Sequence, residues 1–209
     1  MKRDTQKFVL TAMFLAIMIL LAVTPLGYIN LGFMNATTMH IPVIIGSIIL
    51  GPKIGGALGG VFGITSIIRN TVIPNPLSFA FTPFIPLYGS EHGSLLSLIV
   101  SILPRILIGV VPYFVFKALN KHLKGKKQPL TLGIAGVAGS LVNTILVMNF
   151  IYFLFQQPYS ELMGEAGTAL YGVILGVIFA NGIPEAIVAG IATAAVTAVL
   201  FRVVRNPEF

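Results

Sequence analysis

Arg105 and Glu185 each stand inside a long apolar stretch, residues 94–120 and 168–201, whose other side chains are mostly Leu, Ile, Val, Ala and Gly. A guanidinium or a carboxylate in such surroundings has two uses: the two charges neutralise each other, or one binds a ligand of opposite charge. By helical rise Arg105 lies about 15 Å from the outer end of its stretch and Glu185 about 26 Å from the outer end of its own, so tilt decides whether they meet. A structural pair is the first expectation and ligand contact the second. Arg69, followed by Asn70, puts another cation at the outer end of a Gly-rich segment, where it can receive a carboxylate or snorkel to an interface. Asn143, Asn149 and Asn181 place amides in apolar segments, each able to bind a ligand amide or hydroxyl or to cross-link helices. Asn149 and Asn181 are shallower than Asn143 and are favoured as ligand contacts. Phe79 and Tyr88 can cap a cavity or pack in a core. The candidate ligand residues are therefore Arg69, Asn70, Phe79, Tyr88, Arg105, Asn143, Asn149, Asn181 and Glu185.

Other chemistries lack their parts. There is no Walker A phosphate loop, no His-Glu-x-x-His and no Gly-x-Ser-x-Gly elbow. Cysteine is absent, which removes disulfides, thiolate catalysis and thiolate metal sites. His40, His92 and His122 are far apart in sequence, so no metal site and no cofactor is expected. With Glu185 almost alone as a membrane acid, an ion-coupled relay is thinly supported. Uphill movement of a solute would draw its energy from another protein, and the alternative is passive conduction.

The elements that must position these residues are membrane helices. Hydrophobic residues make up 56% of the chain, charged residues 9%, and the mean hydropathy is +0.96. Residues 1–209 read as one all-α integral membrane domain with six transmembrane segments: 8–23, 40–50, 54–68, 94–120, 130–155 and 168–201. The second is only about 16 Å long if helical, too short to cross without tilt. Residues 1–7 and the first span predict a retained helix rather than a cleaved leader. Residues 24–39 read as a polar outer loop and 51–53 as a tight inner turn. The net charge of +7 does not signal nucleic acid, because eleven of thirteen basic residues (Lys2, Arg3, Lys7, Lys53, Lys117, Lys121, Lys124, Lys126, Lys127, Arg202 and Arg205) fall on one side of the six spans. The positive-inside rule puts that side, with both termini, in the cytoplasm.

Small residues recur at four-residue spacing, the pattern that lets membrane helices approach closely: Ala12 and Ala16, Gly55, Gly59 and Gly63, and Ala186, Gly190 and Ala194. Most such stripes pack helices within a chain; one facing lipid is open to a partner. Residues 69–93 carry Pro74, Pro76, Pro83 and Pro86 interleaved with aromatics, which predicts an irregular external segment folded back over the membrane domain.

The ordered set Ala12-x-x-x-Ala16, His40-Ile-Pro-Val-Ile-Ile-Gly-Ser-Ile-Ile-Leu-Gly-Pro-Lys53, Gly55 to Gly63, Pro104-Arg-Ile-Leu-Ile-Gly109, Asn143-Thr144 and Asn181-Gly-Ile-Pro-Glu185 resembles the substrate-binding S components of energy-coupling factor (ECF) vitamin transporters. The resemblance covers essentially the whole chain. It implies a vitamin captured near the outer face of a prokaryotic cell membrane and delivered inward with a membrane coupling protein and two cytoplasmic ATPases, which explains the missing Walker motif. Ala12 and Ala16 inherit the face that docks on the coupling protein. Thr65-Ser66, Asn70-Thr71, Pro76-x-Ser78-Phe79 and Phe81-x-Pro83-Phe84 look most like the pantothenate-specific branch. Riboflavin, folate or hydroxymethylpyrimidine are the alternative ligands, and a stand-alone channel or facilitator is the rival reading.

Overall fold

A computed structural model describes residues 3–30, 35–123, 127–165 and 167–203. Lys2, Lys124, Lys126 and Arg205 lie outside the described residues. The elements are α1 (Arg3–Val23), a hairpin of β1 (Tyr28–Asn30) and β2 (Asn35–Thr37), α2 (His40–Leu50), α3 (Pro52–Val72), a 3-10 turn (Ser78–Ala80), α4 (Ser97–Ile108), α5 (Val111–His122), α6 (Gln128–Leu154), α7 (Gln156–Met163), α8 (Gly167–Val177), a π-helical turn (Ile178–Gly182) and α9 (Ile183–Val203). Among the described residues, four helical runs are long and apolar enough to cross a membrane: Asp4–Val23, Ser97–His122, Gln128–Leu154 and Ala169–Arg202.

The short helix α2 is the axis of the molecule. All its residues except Ile41 are buried, and it touches α1, α3, α4, α5, α6 and α9. A helix that is apolar all round belongs in a core, which is why eleven residues suffice here. Gly51 makes the reversal into α3, with φ of 89° in the left-handed region that favours glycine, and Pro52 starts the next helix.

The stripe Gly55, Gly59, Gly63 packs α3 on α4. A methyl added at Gly55, Gly59 or Gly63 would overlap the carbonyl of Gly109, Arg105 or Ser101 respectively, so the two backbones touch at successive turns. On the opposite side α6 meets α9 in the same manner, Gly136 against the Ala189 carbonyl and Gly190 against Gly133. Two long runs are interrupted where sequence supplies a breaker. The run Ser97–His122 is broken at Gly109-Val110, just before Pro112, and the run Ala169–Arg202 passes through the π-helical turn just before Pro184.

Sequence boundaries shift at three places. α3 continues through Val72, so Arg69 and Asn70 are helical rather than part of the external segment. Residues 24–39 contain the hairpin, and the connection between the predicted spans 130–155 and 168–201 contains α7. Residues 73–93 do fold back over the helices: Leu77, Phe79, Ala80 and Phe81 are buried with Val100, Met148, Ile151, Phe155 and Tyr159 in one core. A second core around α2 includes Phe14, Met18, Phe62, Phe116 and Leu132.

Two neighbouring glycines make a clean contrast. Gly59→Ala should destabilise the protein by about 1–3 kcal/mol, because the methyl must displace backbone. Gly60→Ala, whose methyl meets open space, should be neutral or stabilise by up to about 1 kcal/mol. Melting temperatures of the two variants in detergent decide it, and equal losses would mean that α3 and α4 are not in backbone contact.

Candidate functional site

Arg105 owes its pose to its neighbour. Pro104 lies inside α4 and has no N–H, so the Val100 carbonyl four residues earlier lacks its helical donor. The Arg105 side chain folds back along the helix and Nη1 donates to that carbonyl at 2.7 Å. Its guanidinium carbon lies 5.5 Å from the Phe62 ring centre and 5.2 Å from that of Phe81. Both contacts favour a desolvated cation. Nε is buried and has no hydrogen-bond partner among the described residues.

The guanidinium borders a small cavity that is also lined by Tyr28, Thr37, Ser66, Asn70, Asn75 and Phe81. Tyr28 and Thr37 sit opposite one another in the hairpin ladder, which puts their side chains on one face. The cavity encloses about 30 Å³, room for roughly one water and far below the roughly 300–1,000 Å³ of a small-molecule site. A larger ligand therefore requires the hairpin or the external segment to lift.

That cover is held by specific bonds. Asn70 donates from Nδ2 to the Ser66 carbonyl at 2.8 Å and accepts from Ser78 Oγ at 2.8 Å. Ser78 Oγ in turn accepts from the Asn75 N–H at 2.9 Å. Thr71 and Thr82 hydroxyls are 2.7 Å apart, and Ser101 Oγ donates to the Phe81 carbonyl at 2.6 Å. The hairpin is held from two sides. The Tyr28 and Thr65 hydroxyls are 3.2 Å apart, and the Thr37 N–H donates to Glu185 Oε1 at 3.0 Å. Burial raises the Tyr28 phenol above its ordinary value, opposed by the Thr65 bond and the two arginines, so it keeps its proton.

Arg105 and Glu185 do not form the expected direct ion pair among the described residues. Their bonds run instead to Val100 and Thr37, because the hairpin strand supplies a backbone donor to the carboxylate. Of the nine candidate ligand residues, only Arg105 and Asn70 line the cavity. Arg69 sits at its flank, its guanidinium carbon 5.9 Å over the Tyr28 ring. Phe79 is buried edge-on between Tyr88 and Phe155, at centre distances of 5.6 and 6.0 Å, and belongs to the core of the fold-back segment. Tyr88 is exposed on the outer surface. Asn143 is buried on α6 with Oδ1 unpartnered. Asn149 donates to the Ile145 carbonyl and receives the Tyr171 hydroxyl at 3.5 Å, a link between α6 and α8. Asn181 lies in the π-helical turn and Glu185 lines a separate hollow beside His40. Ala12 and Ala16 are exposed on α1. Tyr28, Thr37, Ser66, Asn75 and Phe81 were not singled out as ligand candidates by pattern. Ser66 and Phe81 appear in the motifs of the pantothenate-like branch, whereas nothing in the chain marks Tyr28, Thr37 or Asn75 as cavity residues.

Residues 6–197 match the family model described as the substrate-specific component of ECF transporters. A pantothenic acid transporter of Lactococcus lactis is 36% identical over 208 residues, covering 98% of each chain. A pantothenate transporter of Leuconostoc mesenteroides is 30% identical over 206 residues, covering 94% of this chain and 92% of its own.

The Glu185 bond to the hairpin can be tested by hydrogen exchange. Glu185→Ala should speed exchange of the Thr37 amide roughly 10- to 100-fold, the range for losing a bond to a charged acceptor, and Glu185→Gln should speed it less. Unchanged exchange in the alanine variant would show that the carboxylate does not hold the hairpin.

Proposed function

The chain belongs to the family of ECF transporter substrate-specific components, and from that premise we propose that it binds pantothenate for an importer whose energy is supplied by a coupling protein and two ATPases. The observation that carries the ligand assignment is the buried guanidinium of Arg105, whose Nε has no hydrogen-bond partner among the described residues, at a cavity rimmed by Ser66, Asn70, Asn75, Tyr28 and Thr37. Pantothenate is a carboxylate with hydroxyls and an amide. It calls for one cation, several neutral donors and acceptors, and apolar walls, here Phe62 and Phe81. Two relatives that are named pantothenate transporters match nearly the full chain, which supports the same ligand.

In this reading six spans cross the membrane: α1, α2, α3, α4 with α5, α6, and α8 with α9. The basic residues at the α1 start, the α2–α3 turn and the α5–α6 connection face the cytoplasm, so the cavity opens outward. Ligand binding lifts the hairpin and the external segment, and their hydrogen bonds to α3, α4 and α9 reform around the vitamin. Ala12 and Ala16 present a flat exposed face for the coupling protein.

The purified protein should be warmed against pantothenate, riboflavin, folate, thiamine, biotin and hydroxymethylpyrimidine. Pantothenate at a hundred times its dissociation constant should add about 2.7 kcal/mol, and the others should add nothing. Stabilisation by a different vitamin would replace the ligand and keep the family role; no stabilisation by any would overturn vitamin binding. Arg105→Met should weaken pantothenate binding roughly 30- to 150-fold, about 2–3 kcal/mol for a charge-assisted contact, and undiminished binding would exclude Arg105 as the carboxylate partner. Ala16→Leu should reduce co-purification with the coupling protein; retention of the complex would place the docking face elsewhere.

A further inference from the structure

We propose that the groove between the outer halves of α1 and α3 binds one anionic phospholipid, its acyl chain on Ile19, Val23, Ile68 and Val72 and its phosphate on Arg69. The groove is about 400 Å³ and mostly apolar. Its walls face away from the protein: Val23 is 78% and Val72 70% exposed. Such a surface suits an acyl chain, and its length, from Thr65 to Ile73 on α3, spans about 12 Å of membrane depth.

Two polar side chains interrupt the apolar lining. Thr65 is already satisfied, donating to the Phe62 carbonyl at 2.8 Å and sharing a bond with Tyr28. Arg69 is not. Its Nε is buried without a hydrogen-bond partner among the described residues, and its guanidinium carbon lies 5.9 Å over the Tyr28 ring. The group carries N–H donors in the fork geometry that grips a phosphate. Arg69 lies one helical turn below the end of α3, at the end of the molecule opposite the basic termini, which is headgroup depth for a helix of this length. Apart from the buried Arg105, it is the one Lys or Arg in the sequence on that side of the six spans. A single cation capping an apolar groove is complementary to a lipid with one negative phosphate, and a zwitterionic headgroup offers it less net attraction.

Native mass spectrometry of the full-length protein in detergent, with equimolar phosphatidylglycerol and phosphatidylcholine of identical chains, tests this. Wild type should retain the phosphatidylglycerol about fivefold more, the ratio expected for one arginine near a headgroup. Arg69→Gln should remove the preference, Arg69→Lys should keep most of it, and Ile68→Trp, which fills the groove and leaves the charge, should lower retention of both lipids. Equal retention by wild type, or a preference that survives Arg69→Gln, would overturn the site. Competition by free glycerol phosphate alone would overturn the acyl-chain part and leave an anion site. The wild-type comparison and Ile68→Trp decide the matter even if Arg69→Gln does not fold.

Discussion

Burying the Arg105 guanidinium is the constraint around which the outer half of this protein is built, since a cation inside an apolar span is costly unless its N–H groups and its charge are met. Pro104 creates the acceptor by leaving the Val100 carbonyl free, and Phe62 and Phe81 supply ring faces. None of this works unless α3, which carries Phe62, lies directly against α4. Gly55, Gly59 and Gly63 allow that approach, and Gly59 does so at the carbonyl of Arg105 itself. The packing stripe and the buried cation are thus two consequences of one helix contact.

The polar groups above the guanidinium serve the cover before they serve a ligand. Asn70 uses its amide to hold Ser78, Ser101 holds Phe81, and Glu185 holds Thr37. These bonds are each worth only about 1–3 kcal/mol net, so together they close the site, and the proposed ligand would exchange them for its own partners. The enclosed space of about 30 Å³ is the closed end of that exchange.

The two arginines divide their surroundings. Arg105 is enclosed by α3, α4 and the external segment, whereas Arg69 stands at the flank, where α1 leaves a lipid-facing groove. α1 itself packs mainly on α2 and α3 and keeps Ala12, Ala16 and several large apolar side chains outward. The exposed small-residue face and the groove are separate surfaces of this peripheral helix, the first proposed for a protein partner and the second for a lipid.

The sequence by itself determined the membrane class, the stripes of small residues that pack helices and the fold-back of the proline- and aromatic-rich segment, because hydropathy and local spacing carry those signals directly, while its ordered motifs carried the family resemblance. It also marked Arg105 as the buried cation. It did not determine partners. Arg105 and Glu185 looked like a pair because both are charges in apolar helices, yet a backbone N–H of the hairpin takes the carboxylate and a carbonyl freed by proline takes the guanidinium. Tyr28, Thr37 and Asn75 entered the site only through the hairpin register and the fold-back geometry, and Asn149 became a tie between helices because Tyr171 reaches it from α8. Which polar groups meet depends on contacts between residues far apart in sequence, and only the tertiary structure decides those.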